Sequence, residues 1–287
     1  MIIKGKKIRQ CFILYLLMAS LPVIATAQLN NFDANSTKAR DHSALVRLQQ
    51  ENIEERYLAL SDMNNQITMH SFNNALIEQI LFLAERERKY QESLAKGELG
   101  EGYLSQLIEA LGNTKDPRAI PYLLGYLGSG TAVASSLYKI GEPAVAPLIQ
   151  KLQCEIVGYR SSAAYALGLF LKSERLVRRE TREMIKQALI RELDNPRNDD
   201  PRKDTEWYEF RAQERANVRL NIAKALGYLA ETSDKEVLPI IESLAKEDPY
   251  YLDMSKKKDY KGPQMRYLVR EEAQEILNQL KEKGIQK

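Results

Sequence analysis

The sequence predicts an all-α protein: a right-handed solenoid of stacked helix pairs, preceded by an N-terminal helical extension. Three observations predict it. First, a phrase recurs in which a basic or aliphatic residue is followed seven places on by Leu or Ile, usually then by Gly. It runs from Leu104 to Leu111-Gly112, Val133 to Ile140-Gly141, Arg160 to Leu167-Gly168 and Arg219 to Leu226-Gly227, with a degraded copy from Arg270 to Leu277-Asn278. Self-similarity at a period of about thirty residues marks a stacked-repeat architecture. Second, apolar residues inside each copy fall at helical spacing. Third, short apolar segments led by proline follow several copies, as second helices would.

The elements follow in order. Residues 1–27 read as an export signal: Lys4, Lys6, Lys7 and Arg9 form a basic head, an apolar run extends from Cys11 to Ile24, and Ala25-Thr26-Ala27 is a small-x-small cleavage site. The run is shorter than the ~20 apolar residues of a membrane-spanning helix and contains Pro22. No integral membrane segment is therefore expected after cleavage, and the product is expected in the periplasm or outside the cell. Residues 28–100 form a linker and helical extension. Lys38 to Leu60 carries Leu45, Leu48, Tyr57 and Leu60 among many charges and reads as a surface helix. Phe72 to Leu94 is a stronger helix with Phe72, Leu76, Ile80, Leu83 and Ala84 on one stripe. Its Glu85-Arg86-Glu87-Arg88-Lys89 run reads as an exposed, charge-supported face.

Residues 101–287 form the repeat domain. In its first helices Ala163, Ala166 and Leu167 follow Arg160 by three, six and seven places; Ile222, Ala225 and Leu226 follow Arg219, and Ala273, Ile276 and Leu277 follow Arg270, in the same way. The small residues admit a neighbouring helix and the Leu or Ile closes the core. The Gly after it is expected to end the helix in a left-handed conformation. The second helices open at Ala119-Ile120-Pro121, Val145-Ala146-Pro147 and Val237-Leu238-Pro239, since proline in a first turn costs no helical hydrogen bond. The third copy lacks the proline and offers Met184, Ile185, Ala188 and Leu189 as its apolar face.

Tyr159-Arg160 through Ala166-Leu167-Gly168 and Val218-Arg219 through Ala225-Leu226-Gly227 resemble HEAT repeats, of the short HEAT-like type also found in phycobilisome lyases. The resemblance covers residues 103 to 283. It implies a stacked-helix binding frame; it also implies the competing class, an enzyme of the bilin-lyase kind. The acidic residue that the family keeps in the loop before the arginine is missing here, where Gly158 and Asn217 stand.

Composition narrows the function classes. The chain of 287 residues has 42 Lys+Arg and 39 Asp+Glu; four of the basic residues lie in the signal, which leaves 38 against 39. A near-neutral mature chain lacks the positive excess of a nucleic-acid binder. Only Cys154 survives cleavage, so no intramolecular disulfide forms. With no histidine near it in sequence, Cys154 reads as a buried small hydrophobe, and His42 and His70 as solvent-facing. No nucleotide loop, metalloprotease signature or serine elbow is present. No catalytic residue, cofactor or metal ligand is assigned; an acidic trio, Asp199, Asp200 and Asp204, lacks the glycine and spacing of a calcium loop.

Successive copies begin 29, 27, 59 and 51 residues apart, which exposes insertions near 194–213 and 247–266. Both follow a second helix, so in a regular stack they project from the same edge. The first holds Trp207, Tyr208 and Phe210. The second holds Tyr250, Tyr251 and Tyr260 with Lys257 and Lys258. Aromatic and basic side chains on a loop edge are the ingredients of a recognition surface; folding back to seal the last repeats is the alternative role. The sequence therefore points to an exported, non-catalytic scaffold or adaptor for a protein or peptide. Binding of an envelope polymer or carbohydrate through the same aromatics is a further alternative.

Overall fold

The structure, a computed structural model, describes residues 42–66, 72–93, 101–129, 131–173, 177–195, 208–232, 234–249, 251–253, 261–262 and 265–285. From Ser43 onward these belong to one compact unit, Ser43–Lys287. The signal assigned to 1–27 lies outside the described residues. The fold is all-helical. Helix α1 covers residues 42–48. It is followed by α2 Ile53–Gln66, α3 Asn74–Ser93, α4 Glu101–Thr114, α5 Ile120–Gly125, α6 Thr131–Ile140, α7 Val145–Lys151, α8 Val157–Lys172, α9 Arg179–Leu193, α10 Tyr208–Glu231, α11 Leu238–Glu247 and α12 Leu268–Glu282. The strands among the described residues are two residues each, β1 Leu252–Asp253 and β2 Met265–Arg266, paired antiparallel with Leu252 opposite Arg266.

Packing follows an alternation. Helices α2, α4, α6, α8, α10 and α12 pack in series, each on the next, and each of α3, α5, α7, α9 and α11 packs against the member of that series that follows it. One cluster of buried apolar side chains extends in sequence from Leu48 to Leu280. Ala163, Ala166 and Leu167 of α8, and Ile222, Ala225 and Leu226 of α10, are all fully buried in it. Leu76, Ile80, Leu83 and Ala84 of α3 are buried as the helical stripe requires. Met184 departs from expectation: it is 45% exposed, and Ile185, Ala188 and Leu189 carry the buried face of α9.

The second-helix prolines behave as expected. Pro121 and Pro239 occupy the first turns of α5 and α11, and Pro147 is the third residue of α7. A single 3₁₀ turn leads into each of these helices, at Pro117–Ala119, Glu142–Ala144 and Lys235–Val237. Two of those turns are capped by aspartate: Asp116 accepts from the Arg118 N–H, and Asp234 from the Glu236 N–H.

The recurrent glycines overturn one expectation. Gly141, with φ 96°, does end α6, but Gly112, Gly168 and Gly227 lie inside α4, α8 and α10. Their role is close approach. A Cβ on Gly112 would sit 2.6 Å from the Ser136 Cα, one on Gly168 3.3 Å from the Ala225 Cβ, and one on Gly227 3.0 Å from the Ile276 Cγ2. Each contact is to the next helix of the series. The Ser136 hydroxyl uses the approach at Gly112 to donate to the Ile108 carbonyl at 2.9 Å. Chain reversal by left-handed glycine is instead used at the end of α12. There Gly284 has φ 72°, the Ile285 N–H bonds the Leu280 carbonyl, and Ile285 folds onto the core.

Arginine recurs on the helices of the series. Arg160 Nη1 donates to the Cys154 and Glu155 carbonyls, just beyond α7, while its Nε lies 3.5 Å from Glu192 at the end of α9. Arg56 of α2 repeats the arrangement: Nη1 donates to Gln50 and Glu51, just beyond α1, and Nη2 lies 3.8 Å from Glu87 on α3. Helices α2 and α3, in the segment that the sequence assigns to the extension, thus share this device with α8 and α9. Glu87, read from its charge run as exposed, is 3% exposed.

Two measurements check this packing. Gly112→Ala forces a methyl against backbone and costs about 1–3 kcal/mol, whereas Gly125→Ala, with nothing within 4 Å of the added Cβ, leaves the melting temperature unchanged or raises it. Leu167→Ala, in the filled core beside Gly168, costs about 2–5 kcal/mol in denaturant titration.

Candidate binding surface

Of the eight residues singled out as recognition candidates, Trp207, Tyr250, Tyr260, Lys257 and Lys258 lie outside the described residues. So do Asp199, Asp200 and Asp204 of the calcium alternative. Tyr208 and Phe210 fall in the first turn of α10, not in a loop, because α10 begins eleven residues before Arg219. Tyr251 is half-buried, its ring 5.8 Å from that of Tyr267 and tilted to it by 52°. The Tyr267 ring in turn lies 4.2 Å below the Arg270 guanidinium. Tyr251 is thus packed onto the start of α12.

The chain roots of both insertions meet the same side chain. Arg219 Nη1 donates to the Leu193 carbonyl at the end of α9, at 2.6 Å, and its Nε donates to Asp248 Oδ2 just past α11, also at 2.6 Å. The carbonyl of Asp248 accepts from Arg270 Nε at 2.7 Å. Asp248 therefore joins two arginines from successive helices of the series. The β1–β2 pair then brings the two sides of the second insertion together, and β1 packs against α10.

A charged groove of about 520 Å³ opens at the other end of α9, lined by Arg179, Arg182, Glu183 and Lys186 of α9 and by Thr232, Asp234, Lys235 and Glu236 before α11. The Lys186 side chain is 4% exposed, and its Nζ contacts Glu183 at 2.7 Å, Glu236 at 2.9 Å and Asp234 at 3.0 Å. Burial works against its ammonium, but the bonds from Glu183, Glu236 and Asp234 outweigh it and hold the proton above the ordinary lysine range. The Lys186 bond likewise holds the Glu183 carboxyl below its usual value. Arg182 is fixed from its other side, donating to the Leu171 carbonyl at 3.0 Å and to Thr232 Oγ1 at 3.3 Å. Both shifts move charge states away from neutrality, so these groups favour fixed charge recognition over proton transfer.

Among the described residues no group of His, Cys, Asp and Glu is arranged to hold a metal ion, and no helix is long and apolar enough to cross a membrane. Cys154 is half-buried rather than buried, because it stands in the turn after α7. His42 is exposed, and His70 lies outside the described residues. No protein-family model and no curated protein matches this chain.

The sequence reading missed Arg56, Glu87, Glu192, Lys186 and Asp248 as structural charges. A signal for three of them exists: Glu87, Glu192 and Asp248 follow Arg56, Arg160 and Arg219 by 31, 32 and 29 residues, about one repeat in each case.

Removing one partner of such a pair strands a buried charge. Arg160→Met should cost about 3–5 kcal/mol by taking the arginine away from the buried Glu192 carboxylate, and Arg160→Met with Glu192→Leu should recover most of it in a double-mutant cycle. The pH dependence has a definite sign. Glu183, held low in the fold, stabilises above its ordinary value of 4.5, and that contribution is lost as pH falls through its folded pKa. Lys186, held high, stabilises below its ordinary value of 10.5, and its contribution is lost only as pH rises through the folded value. Lys186→Met should therefore flatten both the acid and the alkaline limbs of the melting-temperature profile.

Proposed function

We propose that this protein is an exported, non-catalytic scaffold: a HEAT-like α-solenoid that holds a protein or peptide partner, with the aromatic and basic residues of its two insertions making the contact. The observation that carries the reading is the serial packing of α2, α4, α6, α8, α10 and α12 around one continuous core, with close glycine approaches at the α4–α6, α8–α10 and α10–α12 steps. Such a frame is stiff, extended and chemically inert, which suits presentation of a surface better than chemistry. The charged groove beside α9 adds fixed charge of both signs. The partner contacts assigned to this reading are Trp207, Tyr208, Phe210, Tyr250, Tyr251, Tyr260, Lys257 and Lys258.

The test is affinity purification from the native host with crosslinking and mass spectrometry, run on the wild type and on Trp207→Ala with Tyr260→Ala. A partner crosslinked to the insertions and lost from the double variant, at unchanged melting temperature, is the expected result. Capture that survives the double variant removes the insertions from the interface. Tyr251→Ala is a separate case: its packing on Tyr267 predicts a lowered melting temperature whatever happens to binding. Small-angle scattering of the mature chain should report an elongated particle; a globular profile would end the solenoid reading.

A further inference from the structure

We propose that Arg219 is a positioning residue that locks the roots of both insertions into one rigid unit. The two insertions are separate in sequence, one leaving the chain after Leu193 and the other after Glu247. Nothing in the covalent chain couples them. The guanidinium of Arg219 does, by donating from one nitrogen to the Leu193 carbonyl and from another to the Asp248 carboxylate, each at 2.6 Å.

The planar fork of arginine suits this role. Its donors point in fixed directions, so two simultaneous bonds fix the relative orientation of the two acceptors as well as their distance. The bonds are shielded: the Arg219 side chain is 11% exposed and that of Asp248 fully buried, so water competes little for either. Each root has a second tie that makes it a stiff attachment point. On the first, Asn195 Nδ2 donates to Glu192 Oε2 at 2.9 Å, and Glu192 faces Arg160. On the second, the Asp248 carbonyl is held by Arg270, and Arg270 covers the Tyr267 ring against which Tyr251 packs.

Among the described residues Arg219 bonds both roots, whereas Arg160 meets the first through Glu192 and Arg270 the second through Asp248. The described bonds of Arg56 go to its own carbonyls and to Glu87. The four arginines share a chemistry, but one has been placed where it couples two segments. The functional weight of the coupling rests on the reading that the insertions carry the partner contacts. Two contact segments held in fixed relation act as one site, because the second contact no longer requires a search.

The experiment reads the roots themselves and needs no partner, so its failure is separable from failure of the binding reading. Spin labels are placed at Asp194→Cys and Pro249→Cys in a Cys154→Ser background, and the inter-label distance is measured by double electron–electron resonance. The expected result is one narrow distance in the otherwise wild-type chain. That distance is lost to a broad distribution in Arg219→Gln and kept in Arg56→Gln, which breaks an equivalent buried arginine away from the roots. If Arg219→Gln does not fold, Arg219→Lys keeps the charge but not the fork and should broaden the distance in a folded chain. An unchanged narrow distance in the folded Arg219 variant, or equal broadening in Arg56→Gln, overturns the proposal.

Discussion

A guanidinium withdrawn from water must be met by acceptors on several sides, and the chain ends of helices are where free acceptors are found. The last carbonyls of a helix have no intrahelical donor. Arg56, Arg160, Arg219 and Arg270 each reach back to carbonyls at or just past the end of the preceding helix: Gln50 and Glu51, Cys154 and Glu155, Leu193, and Asp248. The charge gains acceptors there, and those carbonyls gain a donor. A carboxylate from further along the chain balances the charge in the first three cases. Replacing such a group with hydrocarbon is often neutral for stability. What the arginine adds is definition, because only one placement of the next helix lets all of its bonds form together.

The glycines supply the complementary condition. Gly112, Gly168 and Gly227 remove the side chain at the point where one long helix crosses the next, and Ser136, Ala225 and Ile276 fill the space. In α8 and α10 an arginine, Arg160 or Arg219, ties the helix to the chain at the end of its predecessor, and a glycine eight residues further along sets how near the next helix of the series may come. In those two copies the recurring phrase has a first place for the arginine's ties, middle places for the core and a last place for the approach. A left-handed terminator at that last place would have cut α8 and α10 short before their final turns.

Much of the architecture was legible because helical spacing of apolar residues survives in a single sequence. The stripes of α3, α8 and α10 and the prolines of α5 and α11 lie where periodicity and first-turn chemistry put them. What was not legible depends on partners distant in sequence. The role of Gly168 cannot be told from that of Gly141 by its flanks; only the nearness of Ala225 separates them. Glu87 sits in a run of alternating charge that reads as solvated, and it is buried because Arg56 lies behind it. Lys186 reads as one more surface lysine on α9 until Asp234 and Glu236 are brought against it from beyond the first insertion. For the proposed contact residues the sequence supplied the chemical kind, and among the described ones the structure added a footing: Tyr208 and Phe210 on a helix, Tyr251 against Tyr267.

The positions of the two insertions follow from the same constraint. A flexible loop costs only slowly more as it lengthens, by about 0.6 kcal/mol for each doubling, so a helical stack tolerates long segments wherever both of their ends are held. An end is held where an arginine gathers the chain leaving a neighbouring helix. Helix α10 presents such an arginine with two roots in reach, and α9 and α11 deliver the chain to it from either side. Helices α8, α10 and α12 keep their serial contact across both insertions. A surface built this way can vary in its loops without disturbing the layers beneath, which is the property a binding scaffold needs.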